Sequence, residues 1–501
     1  MEREPLIAAD TDTARSAVVV AASYLVTASL GGILAVLIAV VAGEGAKTDS
    51  FLASYSVYLV FLLLGATLRA TLIPLIGATD SDAELRERAA DAVRRLVSVA
   101  LLLCVALAVL APVIAPLLRS GPNAAVGTAA ESLAVLAIAS FGQIWSAALA
   151  ATLAAARRFY ASAAFYVVAS VTTLVVAVGL MLAVGVLGAA FGVLAGAAVL
   201  LGGHLLYLRR LGFSAPPGPM LLASPATWRL AGRAGASASW PLAQQLQLTI
   251  ALAALATPVG AVTAYTYAFF VGAILYNITG ATLGLVTLPS LVADLARQGR
   301  ETAMTYLGIT APFGAFLYVP VAGAYAACGY PILDAVLGGS LSAETLTLLW
   351  DVSRTLLVMC LVWTVLTAVS NAALSLRLLR GLTLLSATAL LVQIVVQSLL
   401  SDPSGETVAI LHASVGSGMF LALLVVVFRE RSLTAFGRVA ATCWPVVPLG
   451  LVFVLTALVA PSGAAASFGL ALLSIVVYLA IGALTWPSVG RQAFRLLLAR
   501  R

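Results

Sequence analysis

Charged residues are scarce in this chain: they make up 9% of its 501 residues, and Lys47 is the one lysine. A soluble domain carries about 25% charged residues, so this composition excludes an ordinary water-soluble enzyme. Hydrophobic residues account for 62% of the chain, and the mean hydropathy is +1.09. Both values are typical of a protein whose solvent is the lipid bilayer.

Cysteine and histidine are also few and far apart. The four cysteines and two histidines form neither a CxxC pair nor a cluster with the spacing of metal ligands, so we predict no metal site and no cofactor. The sequence contains no recognisable nucleophile and base pair, phosphate-binding loop or carboxylate pair, which argues against an enzyme. Basic residues are spread over many short segments, so nucleic acid is not an expected partner.

Long apolar runs predict an all-α polytopic membrane protein. A helix needs about 20 apolar residues to cross the hydrocarbon core of a bilayer, and the chain has about fourteen runs of this kind. They cover residues 17–42, 50–77, 93–118, 130–155, 161–184, 187–208, 237–257, 262–291, 303–328, 345–374, 381–400, 407–428, 439–460 and 465–487.

Basic residues lie almost entirely on one side when these spans are assigned to alternate directions. Lys47 and Arg119 fall on the opposite side, and Arg69 and Arg354 fall within spans, which leaves 23 of the 27 Lys and Arg residues on the first side. Cytoplasmic loops of membrane proteins carry the excess of Lys and Arg. The distribution therefore predicts an even number of spans, with both termini in the cytoplasm.

A segment of the chain occurs twice. "GAKTDSFLASYSVYLVFLLLGATLRATLIP" begins at Gly45, and its counterpart "GAVTAYTYAFFVGAILYNITGATLGLVTLP" begins at Gly260. An even number of spans separates the copies, so the repeat predicts two parallel six-helix lobes followed by two C-terminal helices. The predicted domains are an N-lobe at 1–210, a cytoplasmic linker at 211–235, a C-lobe at 236–431, and the last two spans with a cytoplasmic tail at 432–501.

Several motifs resemble those of a known family. "GEGAKTDSFLASY", "GATLRATLIPLI" and "VTAYTYAFFVGAILYNITGATLGLVTLPSLVADLA" are similar to segments of the MurJ/MviN lipid II flippases of the MOP superfamily, and the resemblance covers nearly the whole chain. It implies a bacterial cytoplasmic-membrane protein that moves a polyprenyl-pyrophosphate-linked sugar precursor from the inner to the outer leaflet by alternating access. It also implies a groove for the lipid tail, formed by the last two helices.

The chain departs from this family at its cationic positions. The first span reads "GGILAVLIAVVAG", without the family's arginines, and "YAFF" at 267–270 stands where the family has "YADR". Asp49 remains from the family's charged set. Three functions therefore stay open: transport of a lipid II-like precursor, cation-coupled export of small amphipathic molecules, and a transport-inactive scaffold. The expected partners are a lipid-linked glycan precursor, membrane lipids and, for the scaffold, cell-wall synthesis proteins.

Arg69 is a charged residue about two thirds of the way along the second span. A charge within the bilayer costs at least roughly 2.5 kcal/mol, so such a residue usually faces a cavity or a partner. One interpretation is a phosphate contact, because a guanidinium forms two parallel hydrogen bonds with phosphate. The other is that the side chain extends to the cytoplasmic interface about two turns away.

Three other charged residues are candidates for gating or ion coupling. Asp351 and Arg354 share a helix face near the outer end of the tenth span, where they form either a local ion pair or a gate. Asp49 stands at the beginning of the second span, where a carboxylate caps a helix N-terminus. The family resemblance also allows Asp49 to switch the lobes or to bind a cation.

Neutral polar residues complete the candidate substrate-binding set with Arg69. Gln244 and Gln247 share a face of the seventh span, Gln143 lies in the fourth, and Asn277 lies in the eighth. Each of them either lines a cavity or forms hydrogen bonds between helices.

Overall fold

The structure is a computed structural model that describes residues 13–76, 81–118, 124–213, 221–255, 259–284, 291, 295, 300–400 and 403–486. Regular secondary structure within these residues is helical. The α-helices are α1 (Thr13–Ala42), α2 (Ala46–Ile76), α3 (Asp82–Leu118), α4 (Val126–Ala155), α5 (Phe159–Val184), α6 (Leu187–Arg210), α7 (Pro225–Ala254), α8 (Ala261–Tyr276), α9 (Arg300–Leu337), α10 (Ala343–Ser375), α11 (Leu379–Leu399), α12 (Gly405–Phe428), α13 (Ser432–Cys443), α14 (Val446–Leu458) and α15 (Ala464–Thr485).

The predicted spans fall on these helices, which confirms an all-α polytopic membrane fold. Within the described residues, twelve helical segments are long and apolar enough to cross a membrane, as judged by length and composition. α7 is not among them, because it contains Arg229 and Arg233 as well as three glutamines. Arg119 and the tail after Trp486 lie outside the described residues, so the orientation of the termini stays a prediction.

The predicted span at 439–460 is interrupted in the structure. α13 ends at Cys443 and α14 begins at Val446, with Pro445 between them. Proline lacks the backbone N–H that a continuing helix needs. The prediction of one continuous run was therefore wrong here, because it counted apolar residues across a helix-breaking position.

The chain forms two compact units, Met1–Thr263 and Ala264–Arg501. In the first unit, α4 packs against α2, α3 and α6, while α5 packs against α1 and α6. α7 packs against α2 and α3 within this same unit. The linker at 211–235 and the lobe boundary that follows it stay predictions.

Two glycines bring α5 and α6 close together. A Cβ added at Gly192 would lie 2.6 Å from the backbone nitrogen of Ala177, and one at Gly196 would lie 2.9 Å from the carbonyl oxygen of Ala169. Real Cβ atoms do not approach other atoms so closely, so these helices pack backbone against backbone. This is the usual role of a small-xxx-small motif in a membrane.

Replacing Gly192 with alanine should destabilise the protein by about 1–3 kcal/mol, because the added methyl group overpacks the α5–α6 contact. The expected result is a lower thermal unfolding midpoint in detergent. Gly202→Ala is the matched control on the same helix, since an added Cβ there meets nothing within 4 Å. An equal fall in both variants would contradict the close-packing explanation.

In the second unit, α9 packs against α10, α14 and α15, and α12 packs against α10 and α11. Aromatic side chains attach the last two helices to α9. The ring of Tyr478 lies 5.7 Å from that of Phe316 and 5.5 Å from that of Phe453, centre to centre. These distances are typical of favourable aromatic pairs.

Two turns of similar conformation follow α4 and α10. α4 and α10 each end in a turn with an arginine in the left-handed region, Arg157 with φ 61° and Arg377 with φ 55°. Behind Arg157, the backbone nitrogen of Arg158 donates to the carbonyl oxygen of Leu153, and the corresponding bond closes the turn at Arg377. This is the Schellman pattern of a helix C-terminus. α4 and α10 therefore end in the same local structure.

Candidate functional site

Asp49 is a fully buried carboxylate in the first turn of α2. Its Oδ2 accepts a hydrogen bond of 2.8 Å from the backbone nitrogen of Gly260. Its Oδ1 accepts one of 2.9 Å from the backbone nitrogen of Thr263 and one of 2.6 Å from the Thr263 hydroxyl. Asp49 therefore caps the N-terminus of α8, where free N–H groups and the helix dipole favour an anion.

These hydrogen bonds of Asp49 serve a different helix from the one that the sequence predicted. The sequence placed Asp49 at the start of its own span, whereas the bonds go to residues that begin the second copy of the repeat. Gly260 has a φ of 86°, which glycine adopts without strain. This turn directs the N–H groups of Gly260 and Thr263 toward the same carboxylate.

Arg69 lies inside α2, and its guanidinium carbon is 5.3 Å from the centre of the Tyr166 ring. This distance is within the cation–π range of about 6 Å. Arg69 precedes the end of α2 by two turns, and Tyr166 follows the start of α5 by two turns, so the contact lies about 10 Å from both helix ends. Both interpretations of Arg69, a contact within the membrane and an extension to the interface, stay predictions.

Tyr58 and Gln143 continue this polar region toward the start of α2. The Tyr58 side chain is hydrogen-bonded to Gln143 of α4, and the Tyr166 side chain lies near it. We refer to Tyr58, Arg69, Gln143 and Tyr166 as the inner cluster. It joins two of the predicted substrate-binding residues and offers one cation, one amide and two phenols to an anionic or polar ligand.

His204 of α6 packs beside the inner cluster with both ring nitrogens in use. Nδ1 lies 2.8 Å from the carbonyl oxygen of Leu200, and Nε2 lies 3.1 Å from Oγ of Ser162. The carbonyl can only accept, so the network places a proton on Nδ1, and the Ser162 hydroxyl can either donate to Nε2 or accept from it. The ring also meets the edge of Tyr166, 5.9 Å centre to centre. His204 therefore supports Tyr166.

The other predicted binding residues lie elsewhere in the fold. Gln244 and Gln247 are on α7, where Gln247 is fully buried. The buried amide nitrogen of Gln244 has no hydrogen-bond partner among the described residues. Asn277 belongs to the second unit, where it is exposed and begins a π-helical turn, Asn277–Ala281. Such turns occur frequently at functional sites.

Asp351 and Arg354 form the predicted ion pair in the second unit. The Arg354 guanidinium carbon also lies 5.4 Å from the centre of the Trp350 ring. The two side chains are 25% and 50% exposed, and an ion pair so accessible to solvent contributes about 0–1 kcal/mol. The ion-pair interpretation is confirmed, and a gating role stays a prediction. The part of the chain that the structure describes contains no group of three His, Cys, Asp or Glu residues that could hold a metal ion.

Comparison with known proteins gives matches in structure only. No protein-family profile and no curated protein matches the chain in sequence. The solved structure of a lipid II flippase MurJ, in an inward closed conformation, matches with a TM-score of 0.74 and 12% identity, over 94% of this chain and 99% of that chain. The chain has a MurJ-like fold.

The MurJ-like fold is shared with other transporters. A MOP superfamily transporter from Pyrococcus furiosus, described as having a binding pocket of reversed polarity, matches with a TM-score of 0.55 and 17% identity, over 86% of this chain and 97% of that chain. An inward-facing multidrug resistance MATE family transporter matches with a TM-score of 0.55 and 18% identity, over 83% and 95%. Identities of this size establish the fold, and the substrate must be inferred from residues.

Within the MurJ-like fold, sequence analysis missed Tyr58, Tyr166 and Ser162. A tyrosine in an apolar run resembles the aromatic residues that anchor helices at membrane interfaces, so neither tyrosine was distinctive. The spacing of Tyr58 from Arg69 could have identified it. Tyr58 and Arg69 are eleven residues apart, which is about three helical turns, so both lie on one face of α2.

Proposed function

We propose that this chain is an alternating-access transporter that moves a polyprenyl-(pyro)phosphate-linked cell-envelope precursor, similar to lipid II, from the inner to the outer leaflet. The MurJ-like fold supports this function, since the matching structure is that of a lipid II flippase. The excess of basic residues on one predicted side supports cytoplasmic termini. The motif resemblance supports the cytoplasmic membrane of a bacterium.

The observation that carries the proposal is the position of Arg69. A cation–π contact with Tyr166 uses the face of the guanidinium, whereas a phosphate accepts two parallel hydrogen bonds from its edge. The two interactions are therefore compatible. Tyr58 and Gln143 place a hydroxyl and an amide in the same cluster, where they could hydrogen-bond to further substrate oxygens.

Asp49 supplies the switching contact in this proposal. α2 and α8 both begin on the predicted outer side, and the three hydrogen bonds of Asp49 hold these two helix starts together. Release of a substrate to the outer leaflet requires them to separate. A carboxylate that caps α8 in one arrangement and meets water in the other gives the two discrete states that alternating access needs.

Export of small amphipathic molecules is the second candidate, and the low charge of the inner cluster favours it. The cluster has one cation, and its two tyrosines present apolar rings with polar tips, which suit an amphipathic ligand. The fold is also similar to that of a multidrug resistance transporter. In this alternative Arg69 orients a polar end of the substrate.

Reconstitution into liposomes tests the proposed function. The substrate is a fluorescent polyprenyl-pyrophosphate disaccharide, and a membrane-impermeant quencher measures how much of it reaches the outer leaflet. We expect translocation that depends on the protein and is absent from protein-free liposomes. We also expect mass spectrometry of gently purified protein to show a retained polyprenyl-pyrophosphate lipid. Efflux of amphipathic dyes without lipid translocation would contradict the proposal and favour the exporter. Neither activity, together with co-purifying cell-wall proteins, would favour the scaffold.

A further inference from the structure

The two histidines of the chain are both fully buried, but they differ in their hydrogen bonds. His204 uses both ring nitrogens, as described above. His412 of α12 has its Nδ1 2.9 Å from the hydroxyl oxygen of Tyr265. Its Nε2 is buried and has no hydrogen-bond partner in the part of the chain that the structure describes. One imidazole is thus a satisfied core residue, and the other has an unused polar atom.

Aromatic side chains surround the His412 ring. Tyr265 and Phe269, one turn apart on α8, lie 6.2 Å and 5.9 Å from it, centre to centre, with ring planes within 13° of parallel. Phe269 also meets the edge of Trp363 from α10. The indole N–H of Trp363 donates to the carbonyl oxygen of Gly416, one turn beyond His412. We refer to Tyr265, Phe269, Trp363 and His412 as the histidine box.

The histidine box fits a neutral ring better than a charged one. In a neutral imidazole one nitrogen donates and the other accepts, so Nε2 keeps an unused donor or acceptor, which costs about 1–3 kcal/mol. Protonation inside the closed box would add a buried charge, which costs several kcal/mol. Cation–π contacts with the flanking rings offset about 0.5–2 kcal/mol of this, so desolvation dominates.

Acidic side chains on the neighbouring elements do not offset that cost. α12 packs against α10, α11, α13 and the turn Arg429–Arg431. Among the described residues, the side chain that is hydrogen-bonded to His412 is that of Tyr265. Asp351 is paired with Arg354, and Glu406 is exposed in the first turn of α12. The titratable and charged residues of these elements and α8 are Tyr265, Tyr267, Tyr276, Glu344, Asp351, Arg354, Cys360, Arg380, Glu406, Arg429, Glu430, Arg431, Arg438 and Cys443.

We propose that His412 is the binding site of a coupling proton, and that α8 and α12 separate when the proton binds. This inference rests on the proposed alternating-access function. In the closed box the neutral ring shares a hydrogen bond with Tyr265. When α8 moves away, water reaches the ring, and a proton from water adds to the lone pair of the unprotonated nitrogen. When α8 returns, the proton passes to the departing water, which carries it to bulk solvent, and the neutral ring bonds to Tyr265 again.

The coupling follows from linkage between proton binding and conformation. A ligand that binds one of two states more tightly shifts the population toward that state. The proton binds the separated, hydrated arrangement more tightly than the closed box. Lower pH should therefore favour the arrangement in which α8 and α12 are apart, and higher pH should favour the closed box.

Proton binding can be measured without transport. The protein is labelled with 15N-histidine and placed in lipid nanodiscs, and His204→Gln assigns the two imidazole spectra because the chain has two histidines. We expect the protonated fraction of His412 to rise as the pH falls from about 8 to about 5, because the ring of the separated, hydrated arrangement titrates in the range in which histidine acts as a switch. His204 should stay neutral, because its ring and the Arg69 guanidinium both contact Tyr166 and the nearby positive charge disfavours a second one. A His412 ring that is neutral throughout this range would overturn the proposal.

The coupling is tested in liposomes with the lipid translocation assay. We expect a pH gradient to raise the translocation rate of the wild type about tenfold, and His412→Gln to lose this response. Tyr265→Phe keeps the ring and removes the hydroxyl, so it should alter the pH of half-maximal response without unfolding the box. Ile410→Ala is the control on the same helix, since Ile410 is 58% exposed, and it should respond as the wild type does.

The two measurements distinguish failure of this inference from failure of the proposed function. Translocation that ignores the gradient in the wild type would overturn the coupling site and leave the lipid transporter in place. Protonation of His412 in nanodiscs, with no translocation of the lipid under any gradient, would support the proton site and overturn the proposed substrate.

Discussion

Replacement of Arg69 by alanine should abolish transport and leave the amount of folded protein unchanged. Charge-assisted hydrogen bonds such as those between guanidinium and phosphate contribute about 1.5–3 kcal/mol, so their loss should lower substrate affinity about 10- to 100-fold. Folding should persist, because an uncharged side chain is favoured within the bilayer. Complementation of a bacterial strain depleted of its own lipid II flippase measures the first effect, and immunoblotting of membranes measures the second.

Further variants separate the contributions of the Arg69 charge, its planar guanidinium group and the aromatic ring of Tyr166. Arg69→Lys keeps the charge without the planar fork, so it should restore activity only in part. Tyr166→Phe keeps the ring face and should retain activity, whereas Tyr166→Ala releases the guanidinium and should resemble Arg69→Ala. Arg210→Ala removes an exposed arginine at the end of α6 and should have little effect. Full complementation by Arg69→Ala at normal protein levels would contradict the phosphate contact.

The membrane fold was predictable because its signals are local. Helix length is set by bilayer thickness, so apolar runs and the basic residues between them are sufficient to place most helices. The break at Pro445 shows the limit of this reasoning, since hydropathy averaged over a window does not register a missing N–H. The seventh predicted span, 237–257, overlaps the 30-residue helix α7, although the glutamines make it a weak span by composition.

The site was predictable only in part, because its partners are distant in sequence. Arg69 stands out in an apolar run, and its cost within the bilayer marks it for attention. Its contact with Tyr166 depends on how α5 packs in the first unit, which no local pattern encodes. Asp49 was expected at a helix N-terminus, yet the helix it caps was not identifiable from spacing alone.

Asp49→Ala should also reduce transport strongly, because it removes the contact that we propose switches between the two arrangements. The substitution leaves the backbone N–H groups of Gly260 and Thr263 without their carboxylate acceptor, and each buried unpaired group costs about 1–3 kcal/mol. This free-energy cost applies only to the arrangement in which the starts of α2 and α8 are in contact. Two such groups should shift the population toward the separated arrangement by about 30-fold or more. Transport should therefore fall sharply, with a lower thermal unfolding midpoint.

Hydrogen–deuterium exchange reports on this contact directly. The amides of Gly260 and Thr263 should exchange faster in Asp49→Ala, whereas Lys47→Ala, which changes an exposed residue two positions earlier, should leave their exchange and transport unchanged. Thr263→Ala removes one of the three hydrogen bonds and should have a smaller effect. Combined with Asp49→Ala, it should add little, because both substitutions disrupt the same contact. Unchanged exchange at these amides, with transport retained in Asp49→Ala, would exclude the carboxylate as the element that holds α2 and α8 together.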